Sequence, residues 1–151
     1  MKMLCFMTCI NAFWGSKKDD INWHNTVPFV PPVTSGNVIK VYDGDTITVA
    51  SKLPMLKSPL YRFPVRLTGI DSPEIKGKSE AEIKLAKQSR DALSELILGK
   101  DVQLANVSTE KYGRLLADVY IDGIHVNQWM LDNKYAIPYD GETKSRPTEW
   151  N

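Results

Sequence analysis

The Asp-Gly dipeptides Asp43-Gly44 and Asp122-Gly123 each stand between short stretches in which apolar and polar residues alternate. A period of two marks half-buried strands, and Asp-Gly is a favoured pair for a tight turn between antiparallel neighbours. Strands joined this closely cannot all belong to a parallel βαβ array, whose crossovers need a dozen or more residues. The chain is therefore expected to be mainly β, with most strands meeting through turns.

The remaining pattern fills in that frame. Ile39 and Val41 alternate with Lys40 and Tyr42 before the first turn, and Ile47 and Val49 with Thr46 and Thr48 after it. Pro54, Pro59 and Pro64, mixed with Lys52, Lys57 and Arg62, make Ser51 to Pro64 a long basic loop running into a strand over Tyr61 to Ile70. That loop is a candidate contact for a polyanion. Ile83, Ala86, Leu93, Leu96 and Ile97 then recur at helical spacing, with Ser79 as N-cap, Glu82 at the capping-box offset and Gly99 as the stop. Val102 and Leu104, then Leu115, Ala117, Val119 and Ile121, predict two more strands, and Ile124 to Val126 follow the second turn. A short helix over 126–133 is expected to turn Val126, Trp129 and Met130 inward. About five strands, one long helix and one short one fit a small Greek-key barrel, closed or nearly so, with helices packed on it.

With 151 residues the chain has room for one such domain, expected over 36–140. Residues 1–35 form an apolar segment followed by a Pro-rich linker through Pro28, Pro31 and Pro32, and 141–151 form a tail. Met3 to Trp14 is apolar behind Lys2 but short for a membrane span. A secretion signal, an interfacial anchor and a segment packed on the domain are all compatible with it, which leaves localisation open. Cys5 and Cys9 both fall in the first ten residues, so disulfides cannot organise the core. Nineteen basic against 18 acidic residues give a net charge of +1, so any nucleic-acid site must be a local concentration of charge rather than a basic coat.

The chemistry resides in side chains that break the apolar pattern. Asp45 shares strand parity with Ile47 and Val49, and Asp71 with Val65 and Leu67, so both carboxylates point inward at strand ends. Inward carboxylates need a compensating cation. An all-oxygen donor set suits a hard divalent ion such as calcium; zinc is disfavoured because His24 and His125 are isolated and the cysteines remote. Glu74, three residues past Asp71 beyond Ser72-Pro73, stands where a general base could act on water. Arg66 and Arg114 offer planar forks that match phosphate oxygens. Alternation alone puts Arg66 on the face opposite Asp71, so a twist or bulge is required, with Gly69 the obvious place. Gly77-Lys78-Ser79 resembles the end of a P-loop, but Ser72 stands where its first glycine would be.

Asp43-Gly44-Asp45-Thr46, Arg66 with Asp71-Ser72-Pro73-Glu74, Lys111-Tyr112-Gly113-Arg114 and Val126-Asn127, in that order and spacing, resemble the staphylococcal nuclease (thermonuclease) family from about Gly36 to Asp140. The resemblance implies an OB-fold barrel and calcium-dependent endonuclease hydrolysis of DNA and RNA that leaves 3′-phosphate ends. It implies that Asp45 and Asp71, with the main-chain carbonyl of Ser72, hold the ion. By the same resemblance Glu74 acts on the attacking water, Arg66 and Arg114 grip the scissile phosphate, and Lys111 and Tyr112 contact a neighbouring one. Tyr139 is the expected base-flanking aromatic, and Asn127 is expected to tie the last helix to the barrel. A basic, aromatic rim favours single-stranded or frayed nucleic acid. No obligate protein partner is expected, and the chain is expected to be a monomer. Ser72 replaces the family's usual threonine, and the segment between Glu74 and the long helix is short.

Overall fold

The computed structural model describes residues 21–77 and 79–141. Met3 to Trp14, both cysteines, and the tail beyond Gly141 lie outside the described residues. In chain order the elements are β1 (Ser35–Val41), β2 (Thr46–Lys52), β3 (Leu60–Leu67), β4 (Ile70–Asp71), α1 (Glu80–Ile97), β5 (Asp101–Thr109), β6 (Leu115–Ile121), β7 (Ile124–His125), α2 (Val126–Asp132) and β8 (Ile137–Pro138).

Hydrogen bonding runs β3-β2-β1-β5-β6, and β6 pairs in parallel with β3 from Val65 opposite Leu115 to Leu67 opposite Ala117. That pairing closes a five-stranded barrel, an OB fold that is mainly β with two helices packed against it. Inward residues of every barrel strand, among them Val38, Ile47, Val49, Val65, Leu67, Val102, Ala117 and Val119, are fully buried. The core also takes in Val33, two residues upstream of β1. Among the described residues, no helix is long and apolar enough to cross a membrane.

The two Asp-Gly turns obey different physics. Asp122 and Gly123 both have positive φ (48° and 80°), the left-handed pair of a two-residue hairpin. Asp43 and Gly44 lie in a longer turn closed by Tyr42 N–H donating to Thr46 O at 2.8 Å. Gly44 is required there by crowding: a Cβ would lie 1.9 Å from Ser89 Oγ and 2.8 Å from Ser72 Cβ. The glycine lets the turn press against α1 and the segment after β4.

Three sequence expectations are corrected. The basic loop is only residues 53–59, because β3 begins at Leu60 and pairs with β2 through Lys52. Pro64 is tolerated in β3 because β6 joins only from Val65, leaving one edge open at that level. Second, β3 stops at Leu67 instead of running through Ile70; Thr68 and Gly69 turn, with Gly69 at φ 78°, before β4 starts. Third, β1 does not alternate: its pairing with β2 shifts register between Val38 and Lys40, so Val38 is buried and Ile39 exposed.

Helix α1 begins with Ser79 Oγ accepting from Glu82 N–H at 3.0 Å, as the capping pattern predicts. Its buried stripe is Glu82, Ala86, Ser89, Leu93 and Ile97, with Ile83 and Leu96 only half-buried. In α2, Val126, Asn127 and Met130 are buried and Trp129 is half-buried. Asn127 donates to Thr68 O (2.9 Å) and Ala117 O (3.3 Å) and accepts from Val119 N–H (3.0 Å). One side chain thus fastens α2 to β6 and to the turn after β3.

Candidate active site

The end of β3, the start of β2 and the two-residue strand β4 meet at one rim of the barrel. Arg66 lies in register with Thr46 on one side and Leu116 on the other. Its Nη1 pairs with Asp45 Oδ2, and its Nη2 donates to Asp71 Oδ1 at 3.0 Å and to Ile70 O at 3.1 Å. The three residues are nearly sealed from water: Asp45 is 3 % exposed, Asp71 4 % and Arg66 8 %. Asp45 is further fixed by Thr46 Oγ1, which donates to its Oδ1 at 2.8 Å, and by Ser72 N–H, which donates to its Oδ2 at 3.1 Å. The Thr68-Gly69 turn resolves the parity conflict: it resets the strand phase, so Arg66 and Asp71 converge although simple alternation separates them.

One guanidinium between two buried carboxylates leaves a net charge of −1. Burial alone would lower the basicity of Arg66, but Asp45 and Asp71 more than offset that and raise its pKa above the ordinary arginine value. The residual negative potential is felt by Asp43, which the sequence reading did not place in the site. Burial first, and then the charge of Asp45, push the Asp43 carboxyl up to about 6. Between the ordinary carboxylate value of 3.8 and about 6, the folded chain keeps a proton that the unfolded chain has lost. Stability is therefore lost as pH rises through that window, and the full penalty stands above it. Asp43→Asn is expected to stabilise the metal-free protein by about 1–2 kcal/mol at about pH 8, after discounting the shift for partial exposure, with the gain vanishing below about pH 4. Urea unfolding in chelator at both pH values checks this; an equal gain at both would remove the charge as its cause.

The remaining sequence candidates line one cavity of about 1350 Å³ together with Asp45 and Arg66: Ser72, Glu74, Lys111, Tyr112, Arg114 and Tyr139. Asp71 sits buried immediately behind it. Glu74 is exposed on the segment after β4. Arg114 is held by an ion pair with Glu110 across the β5–β6 turn, and its Nη1 lies 3.4 Å from Thr46 Oγ1. Lys111 Nζ lies 5.0 Å from the centre of the Tyr112 ring, which is 74 % exposed. Tyr139 N–H donates to Gly69 O at 2.9 Å, which brings its ring to 5.6 Å from the Arg66 guanidinium carbon. Besides Asp43, sequence reasoning missed Glu110, which positions Arg114. The usable signal was an acid four residues before a candidate arginine, across a turn.

The donors present fit a hard cation. Asp45 and Asp71 supply carboxylate oxygens, the unit they form with Arg66 retains a net negative charge, and Ser72 is buried beside them. Among the described residues, no three Asp, Glu, His or Cys side chains are gathered to hold a metal. An ion here would take few side-chain ligands and complete its shell with main-chain oxygen and water, which calcium accepts.

The sequence is similar to those of several known proteins. A family model described as "Staphylococcal nuclease homologue" matches residues 64–149. An uncharacterized endonuclease of Escherichia coli O157:H7 is 35% identical over 106 residues, covering 70% of this chain and 61% of its own length. An uncharacterized endonuclease of Haemophilus influenzae is 37% identical over 102 residues, covering 68% and 51%. A probable staphylococcal-like nuclease of Oryza sativa subsp. japonica is 33% identical over 75 residues, covering 50% and 19%. The chain thus spans about half to three fifths of the length of these bacterial relatives.

Proposed function

Because the chain belongs to the staphylococcal nuclease family, we propose that it is a calcium-dependent phosphodiesterase that hydrolyses DNA and RNA with low sequence specificity and leaves 3′-phosphate ends. The observation that carries this reading is the buried Asp45–Arg66–Asp71 unit at the wall of a cavity that also holds Glu74 and Arg114. It gathers in one place every group the hydrolysis needs.

Asp45 and Asp71, with the main-chain carbonyl of Ser72, hold the calcium ion. When bound, calcium acts as a Lewis acid that draws charge from a phosphodiester oxygen. Glu74, exposed at the cavity, takes the proton of the attacking water. Arg66 comes from β3 and Arg114 from the β5–β6 turn, so their guanidinium groups approach the phosphate from two directions and offset the charge that grows as the fifth bond forms. Their partners Asp45, Asp71 and Glu110 fix both forks before substrate arrives, so little reorganisation accompanies the reaction. Lys111 and Tyr112 meet a flanking phosphate, and Tyr139 meets a base. A strand free to splay its bases fits this rim better than a stiff duplex, and one chain carries the complete set.

Digestion of single-stranded DNA and RNA in calcium, in magnesium and in chelator, with end-group analysis, tests the proposal. Cleavage in calcium alone, leaving 3′-phosphates, is expected. Binding without cleavage in every buffer would make the domain a nucleic-acid-binding module.

A further inference from the structure

We propose that Lys40 and Tyr42 form an additional nucleotide subsite, a stacking platform with its own cation, for a strand that extends beyond the scissile phosphate; this rests on the nuclease reading above. In an unbroken β1, Lys40 would share the inward face of Val38. The register shift between Val38 and Lys40 adds one residue to β1, and that bulge turns Lys40 outward onto the same face as Tyr42. Bulges beside active sites serve to re-aim side chains in this way.

The result is a lysine Nζ 4.8 Å from the centre of a tyrosine ring that remains 58 % exposed. Both residues line the cavity that contains Asp45, Arg66 and Arg114. A large exposed aromatic beside a catalytic cavity, already held on one face by a cation, offers its other face to a base. Stacking of this kind is indifferent to base identity, because every base has a π face. The neighbouring ammonium supplies a phosphate contact one backbone unit away.

The Lys40–Tyr42 pair also repeats, on a separate turn, the arrangement of Lys111 and Tyr112. One pair sits where β1 ends in the β1–β2 turn and the other on the β5–β6 turn, and Arg66 and Arg114 open into the same cavity. At about 1350 Å³ that cavity exceeds the roughly 300–1,000 Å³ of a cleft built for one small molecule. Its size suits several nucleotides of one strand, with a platform on each turn.

The test compares wild type with Tyr42→Ala, Tyr42→Phe, Lys40→Gln and, as a control for losing an exposed tyrosine away from the cavity, Tyr61→Ala. Steady-state cleavage is measured on single-stranded oligodeoxynucleotides of about two, four and eight nucleotides. For Tyr42→Ala, KM on the longest substrate is expected to rise about tenfold and on the shortest by at most about twofold, with kcat little changed. Tyr42→Phe should behave as wild type, because it keeps the ring face. Lys40→Gln should weaken the salt dependence of KM on the longest substrate. The same length dependence in Tyr42→Ala, Tyr61→Ala and wild type overturns the subsite. If wild type cleaves none of the oligonucleotides in calcium, the nuclease reading fails by itself. Fluorescence anisotropy with the longest oligonucleotide then decides the subsite: about tenfold weaker binding by Tyr42→Ala supports it, and equal binding overturns it.

Discussion

Glu74→Gln is expected to lower kcat by about 10²–10⁴-fold while changing substrate affinity by no more than about threefold. Glutamine keeps the size and hydrogen-bonding reach of the side chain but cannot accept a proton at neutral pH. Glu74 is exposed, so its neutralisation changes a charge in contact with water and not a buried one. Thermal unfolding of the variant beside wild type separates a loss of rate from a loss of fold. Single-turnover cleavage alongside equilibrium binding in calcium separates the two quantities. Equal turnover by variant and wild type would remove Glu74 from the role of base, and loss of binding in step with rate would make it a binding residue instead.

Arg66→Gln is expected to be costly in two ways that can be measured apart. The arginine stands between two carboxylates that are each 5 % exposed at the side chain, so its loss leaves two like charges facing one another away from water. Breaking a buried ion pair from one side costs about 3–5 kcal/mol, and that is the stability loss expected in chelator. Adding calcium should return more stability to Arg66→Gln than it adds to wild type, because the ion then supplies the only positive charge between Asp45 and Asp71. Activity should stay about 10²–10³-fold below wild type even at saturating calcium, since one phosphate fork is missing. Thermal unfolding with and without calcium, together with kcat, checks both parts. A variant as stable as wild type in chelator would mean that Arg66 does not hold the two carboxylates together in the fold.

The barrel was legible because its strands are short, turn-bounded and alternating, and alternation is a local property. Asp45 could be placed at the rim for the same reason: β2 keeps one phase from Asp45 through Val49, so parity carries the side chain inward. Where a strand changes phase, parity fails. Gly69 was visible as a place for such a change, yet nothing in the local sequence says that the turn there ends β3 or that the new strand will pair with Ile137 and Pro138, about seventy residues away in the chain. The bulge at Ile39 left no composition signal, since Val38-Ile39-Lys40-Val41 alternates acceptably in either phase. The basic loop is shorter than the prolines suggest because Pro64 looks like a strand breaker, and the open edge of β3 at that level is what lets it stand within the strand. Asp43 and Glu110 escaped notice because each acts through a neighbour, and their importance depends on distances that spacing does not encode.

The pairing of β4 with β8 also sets the order in which the rim assembles during synthesis. Among the described residues, the strand that carries Asp71 pairs with Ile137–Pro138, and Tyr139 N–H closes onto Gly69 O just beyond it. A ribosome-bound chain with Arg66 and Glu74 already emerged has no partner for β4 until residues 137–139 clear the exit tunnel. The ladder that seats Asp71 at the rim thus forms only after residues 137–139 have emerged, well after Arg66 and Glu74.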